Sequence, residues 1–235
     1  MSVAMTDSPH AFREDLKSLE ARVVGGLDLV ISQLDRSQES INYQDVELAQ
    51  IVVADDARLD ARYLQVHKGA LAMLARPAPG PDELRNIAAL LHIVRCMERM
   101  GDQCVNIATL VPLSGYESPK DKPILDAVEK MGLLARSQLV QIRDALRLRN
   151  VEVARSIAAQ DAEINRLNRA IFRRAVEIGD DFDVREWAMF MILVARCLER
   201  IGDNTVDIGD QVVFIVTGAY RELDGAQVAG AEPSR

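Results

Sequence analysis

Residues 95–108 read Arg-Cys-Met-Glu-Arg-Met-Gly-Asp-Gln-Cys-Val-Asn-Ile-Ala, and residues 196–209 read Arg-Cys-Leu-Glu-Arg-Ile-Gly-Asp-Asn-Thr-Val-Asp-Ile-Gly. Arg, Cys, Glu, Arg, Gly, Asp, Val and Ile recur in the same order at an offset of 101. A second match, Asp56-Ala-Arg-Leu-Asp60 with Asp161-Ala-Glu-Ile-Asn165, has an offset of 105. The four additional positions fall in the first half, where Pro77-Ala-Pro79-Gly-Pro81 interrupts the chain. Self-similarity at a fixed period means two copies of one unit.

Apolar spacing of three and four outlines three helices in each copy. The first copy predicts helices over about 9–36, 43–75 and 82–110, and the second over about 123–148, 151–178 and 183–217. Gly25-Gly26 weakens the first helix by about 1–2 kcal/mol relative to alanines, and marks either a bend or a close approach. The units run 9–112 and 120–218, with a polar link at 114–123 and a small, polar, disordered tail expected over 224–235. Helices this long with short connections pack antiparallel as bundles.

The 235 residues are 49% hydrophobic but only 4% aromatic, which favours aliphatic helix packing over sheets. The net charge of −8 argues against nucleic-acid binding and against simple adhesion to anionic lipid. Met1–Pro9 lacks the apolar run of a signal peptide. The longest apolar stretch, Trp187–Ala195, is too short to span a bilayer and reads as core. Three cysteines without a Cys-x-x-Cys pair point to reduced thiols and a cytosolic protein.

Glu98 and Asp102 lie one helical turn apart on one face, and Asn106 extends the stripe. Glu199, Asp203 and Asp207 repeat it with three carboxylates, pointing away from the inward Leu198, Ile201 and Ile208. Like charges at this spacing cost about 0.2–0.5 kcal/mol per pair. Two readings are open: Arg95, Arg99, Arg196 and Arg200 neutralise the acids, or a cation does. An oxygen-only ligand set suits magnesium, manganese or iron better than a structural zinc. Asp56 and Asp161 each interrupt a core-facing stripe. They either reach a shared metal or cap an interior polar network; the second is favoured because helical spacing shows no convergence with the outward stripe, and the sequence does not decide between them. His92 reads as an ordinary bundle residue, and Cys96 and Cys197 as small packing residues.

Glu98-Arg-Met-Gly-Asp102 and Glu199-Arg-Ile-Gly-Asp203, each followed by Asn or Asp four residues on, resemble the signature of the PhoU family of phosphate-transport regulators. The resemblance extends from His10-Ala-Phe12 to Phe214-Ile-Val-Thr-Gly218. It implies an all-α fold of six long helices in two pseudo-symmetric antiparallel three-helix bundles. It also implies multinuclear sites for iron, zinc, manganese or magnesium on the acidic stripes. By the same resemblance, the protein negatively controls the phosphate regulon, docking on the phosphate ABC transporter's ATPase and on a sensor histidine kinase. It is then at the membrane only through the transporter. A homodimer is expected, with the outward stripes available to a subunit contact. Asn106 gives the first site less charge and weaker metal affinity than the second.

A metal-free helical scaffold is the main alternative. A carboxylate-bridged metal enzyme is a weaker one, because no Glu-x-x-His occurs and His10, His67 and His92 lie outside any such motif. No Walker loop, nucleophile elbow or glycine-rich dinucleotide turn occurs either, and no catalytic activity is expected.

Overall fold

The computed structural model describes residues 9–77, 80–114 and 121–219. The chain runs α1 (Pro9–Tyr43), α2 (Val46–Leu74), α3 (Pro81–Leu110), a 3-10 turn (Val111–Leu113), α4 (Lys122–Leu148), α5 (Val151–Glu177) and α6 (Phe182–Thr217). The expected tail at 224–235 and most of the link lie outside the described residues.

Helix starts follow their caps. Asp45, Asp121, Asn150 and Asp181 each accept a hydrogen bond from a backbone N–H three residues on, satisfying an otherwise orphan donor. Gly218 ends α6 with a φ of 72°, a left-handed conformation that suits glycine. The first helix differs from expectation: it continues past Arg36 to Tyr43. Ser37 and Ser40 make Ser-Gln-Glu-Ser look like a loop. Both hydroxyls are buried, however, and bond back to the carbonyls of Leu34 and Ser37 at 2.9 and 2.8 Å.

α1, α2 and α3 pack into one bundle and α4, α5 and α6 into another. Leu27, Leu34, Val52, Leu59 and Met97 fill the first core, and Leu139, Ile142, Ile157, Ile164 and Leu198 fill the second. Trp187 is buried, as expected. The glycine pair in α1 marks close approach: a Cβ at Gly26 would sit 1.9 Å from Met97 Cε, and the helix runs unbroken through it.

The two bundles join along two seams, α3 against α6 and α1 against α4. On the first, Thr205 Oγ1 lies 3.8 Å from Met100 Sδ. On the second, Arg136–Asp35, Arg143–Asp28 and Arg149–Glu20 form a ladder of ion pairs. Its rungs recur about every seven residues on each helix, so they share one face.

Candidate functional site

The acidic stripes face solvent while Met97, Met100, Leu198 and Ile201 face inward. Arg95 Nη1 pairs with Glu98 Oε2 at 2.9 Å, and Arg196 pairs with Glu199 in the equivalent way. These short-range pairs leave Asp102 and Asp203 without an arginine of their own among the ion pairs of the described residues.

Asp56 and Asp161 converge with those stripes, a point the sequence left open between two readings. In the first bundle, burial holds the Asp102 carboxyl above its ordinary range, and Asp56 and Asp60 on α2 push it further. Burial likewise raises Glu98, with Asp102 and then Asp60 adding. Four carboxylates from two helices therefore share one patch. In the second bundle, burial and then Asp203 push Asp161 up to about 6. Asp203 is itself raised by burial, with Asp207 adding to the effect and Arg196 opposing it.

The glycine of each Glu-Arg-x-Gly-Asp segment explains the convergence. A Cβ at Gly101 would lie 2.3 Å from Leu59 Cδ2 and 3.1 Å from Asp56 Oδ1. A Cβ at Gly202 would lie 2.2 Å from Asp161 Oδ1. Glycine at each position leaves room for the neighbouring helix to bring its aspartate flush against the acidic stripe. A helical projection treats each helix alone and cannot register this approach.

Amides complete each cluster. Gln33 Nε2 on α1 donates to Asp56 Oδ1 at 3.0 Å. Gln138, its equivalent at the offset of 105, is 1% exposed, and neither its Nε2 nor its Oε1 has a partner. Asn165 Nδ2 donates to Asp161 Oδ2 at 2.6 Å, while Asp161 Oδ1 is buried and unpartnered. Sequence reasoning missed Gln33 and Asp60 as members of the first cluster, and the buried Gln138 as the counterpart of Gln33. The 105 offset pairs the two glutamines at core-facing positions and was the available signal.

Asp60 offsets the charge that Asn106 takes from the first stripe. The first cluster gathers Asp56, Asp60, Glu98 and Asp102, whereas the second has Asn165 in place of Asp60. Asp207 acts on Asp203 but also reaches across the seam to His92 and Cys96 of α3. An orphaned buried carboxylate oxygen, mutually repelling acids and an oxygen-rich donor set are what a hard or borderline cation would satisfy. Asp56, Asp60, Glu98 and Asp102 could hold it in one bundle, and Asp161, Glu199 and Asp203 in the other.

The PhoU domain family matches residues 26–111 and 128–212. This chain belongs to the PhoU family. The "phosphate-specific transport system accessory protein PhoU homolog" of Zymomonas mobilis is 31% identical over 212 residues, covering 88% of this chain and 87% of the relative. The protein of the same description from Caulobacter vibrioides is 30% identical over 210 residues, covering 88% and 90% respectively. The crystal structure of PhoU from Pseudomonas aeruginosa superposes with a TM-score of 0.82 at 24% identity, over 88% of this chain and 100% of that one. That of the phosphate transport system regulatory protein PhoU from Streptococcus pneumoniae gives 0.82 at 23% identity, over 89% and 99%. These two likenesses show the fold. Each matched PhoU stretch contains one acid cluster, from Asp56 to Asp102 and from Asp161 to Asp203.

Proposed function

We propose that this protein is a cytosolic, non-enzymatic regulator of phosphate uptake that restrains a phosphate ABC transporter and its phosphate-starvation signalling pathway. Its partners in this reading are the transporter's ATPase and a sensor histidine kinase, and it works as a homodimer. The observation that carries the reading is the duplicated cluster of glutamine, aspartates, glutamate and glycine inside two PhoU repeats. Its relatives' descriptions as phosphate-transport accessory proteins support the biological assignment. Among the described residues, no helix is long and apolar enough to cross a membrane.

Each cluster binds metal in this reading: iron, manganese, magnesium or zinc. The ion supplies positive charge where Asp102, Glu98, Asp161 and Asp203 repel one another. This chain's own residues bring the acids of adjacent helices together, through Gly101 and Gly202, and hold one oxygen of Asp56 with Gln33. A metal-free scaffold has one observation in its favour, the pairing of Glu98 with Arg95 and of Glu199 with Arg196.

Deleting the gene is expected to derepress phosphate-starvation genes in phosphate-rich medium. Affinity capture of the tagged protein should recover the transporter ATPase and the sensor kinase. Unchanged repression together with no capture of either partner refutes the regulatory reading. Elemental analysis of protein purified without chelator separates the metal-bound from the metal-free form.

A further inference from the structure

At one end of the α3–α6 seam, His92, Cys96 and Asp207 each offer a ligand atom within 4.8 Å of the others. His92 and Cys96 are one turn apart on one face of α3, and Asp207 comes from α6 in the other repeat. His92 and Asp207 are exposed, whereas Cys96 is fully buried. Nitrogen, sulfur and oxygen in one place form a different ligand set from the acid clusters. We propose that these three residues form a separate metal site that takes a borderline transition ion of the zinc class and ties the two repeats together.

Imidazole and thiolate suit zinc, cobalt or copper, whereas carboxylates alone suit magnesium or manganese. Three protein ligands with an open fourth position match the pattern of an accessible zinc site. Bonds of about 2.0–2.3 Å put tetrahedral ligands about 3.3–3.8 Å apart. The present spacing therefore requires a closure of about 1 Å, which the exposed side chains of His92 and Asp207 can supply by rotamer change. Burial, with Asp207 adding, pushes the Cys96 thiol up to about 12. A bound ion takes the place of the thiol proton, as at any cysteine ligand. Arg95 and Arg99 on α3 act on it in the opposite direction.

The duplication supplies an internal control. At the offset of 101, the equivalents of His92, Cys96 and Asp207 are Leu193, Cys197 and Asn106. A cysteine stands at both ends of the seam, but only one end has an imidazole and a carboxylate beside it. Packing explains both cysteines. It does not explain why an exposed histidine and an exposed aspartate from different repeats meet at one of them.

The full chain, stripped with chelator, is titrated with Co²⁺ and read by absorbance. The expected result is a thiolate-to-cobalt charge-transfer band that saturates at one equivalent and is bleached by Zn²⁺. Cys96→Ser should abolish the band, and His92→Leu should weaken Co²⁺ binding by about tenfold or more. Cys197→Ser should leave the band intact, as should Glu98→Gln and Asp161→Asn, which disable the acid clusters and not this site. Absence of the band, a band that follows Cys197 or Cys104, or full affinity in His92→Leu overturns the proposal. His92→Leu alters an exposed side chain, so the test stands even where Cys96→Ser is poorly folded.

Discussion

Replacing Asp161 with Asn should stabilise the metal-free protein, and the gain should depend on pH in a specific way. Asp161 is 5% exposed, its Oδ1 lacks a partner, and its pKa is pushed from 3.8 to about 6 by burial and then by Asp203. The folded state therefore holds the proton more tightly than the unfolded chain does. The stabilising effect of that proton is fully present below about pH 4 and is lost as pH rises to about 6. Two pH units correspond to about 3 kcal/mol at most. Asn165 Nδ2 can still donate to the carbonyl oxygen of an introduced asparagine, so a gain of about 1–3 kcal/mol is expected above pH 6. For a chain of this size that is about 2–10 °C in Tm. The assay is thermal unfolding by circular dichroism, with chelator, from pH 4 to 8. All other titrating groups are common to both proteins and largely cancel in the difference. The difference should be near zero at pH 4, grow to about pH 6 and then stay level. With Mn²⁺ or Mg²⁺ added, the wild type should gain more than Asp161→Asn. A difference that is flat across pH, or a less stable variant at pH 8 without metal, refutes the account of a strained, uncompensated carboxylate.

Gly202→Ala places a Cβ 2.2 Å from Asp161 Oδ1 and should cost about 1–3 kcal/mol, with weakened metal binding in the second repeat; melting curves and metal titrations of the variant check both. Asp60→Asn should weaken Mn²⁺ binding at the first site, because it removes a carboxylate that acts on both Glu98 and Asp102; equilibrium dialysis of the variant checks this. Arg143→Ala breaks an ion pair with the half-exposed Asp28, so it should lower stability by no more than about 1 kcal/mol, measured by urea unfolding. Asp121→Ala removes both a helix cap at Ile124 and an ion pair with Arg174; it should cost about 1–2 kcal/mol at pH 7, by the same measurement. Because those partners hold the Asp121 carboxyl below its ordinary range, that cost should shrink as pH falls through the acid range.

The helices, their order and their duplication are all legible in the sequence, since each rests on local periodicity and on repeated residues. The arginine–glutamate pairs are legible for the same reason: Arg95–Glu98 and Arg196–Glu199 lie three residues apart on one helix. Contacts between helices are not. Asp56 and Asp161 join the acidic stripes only because a glycine on the next helix admits them, and helix spacing alone contains no term for that approach. Asp207 fits its own stripe by periodicity, yet its proximity to His92 and Cys96 depends on how α3 crosses α6. The last turns of α1 are not legible in apolar spacing, because Ser37 and Ser40 are buried polar residues that bond back to carbonyls of their own helix.

The glycine in Glu-Arg-x-Gly-Asp is better understood as part of the site than as a helix defect. A glycine inside a helix costs about 1 kcal/mol relative to alanine, and here the chain bears that cost once in each repeat. Close packing against Leu59 gives the glycine a structural use, but a purely structural bundle would turn the facing carboxylate to solvent. Instead, each repeat brings an aspartate against two more acids, where the charges repel and burial raises their pKa values. Two local penalties, a weakened helix and crowded negative charge, occur together at the same position in both copies. Close helix packing accounts for the glycine but not for the crowded charge, whereas binding of a cation gains from both: the glycine brings ligands from two helices within reach, and the repulsion is relieved when the ion arrives.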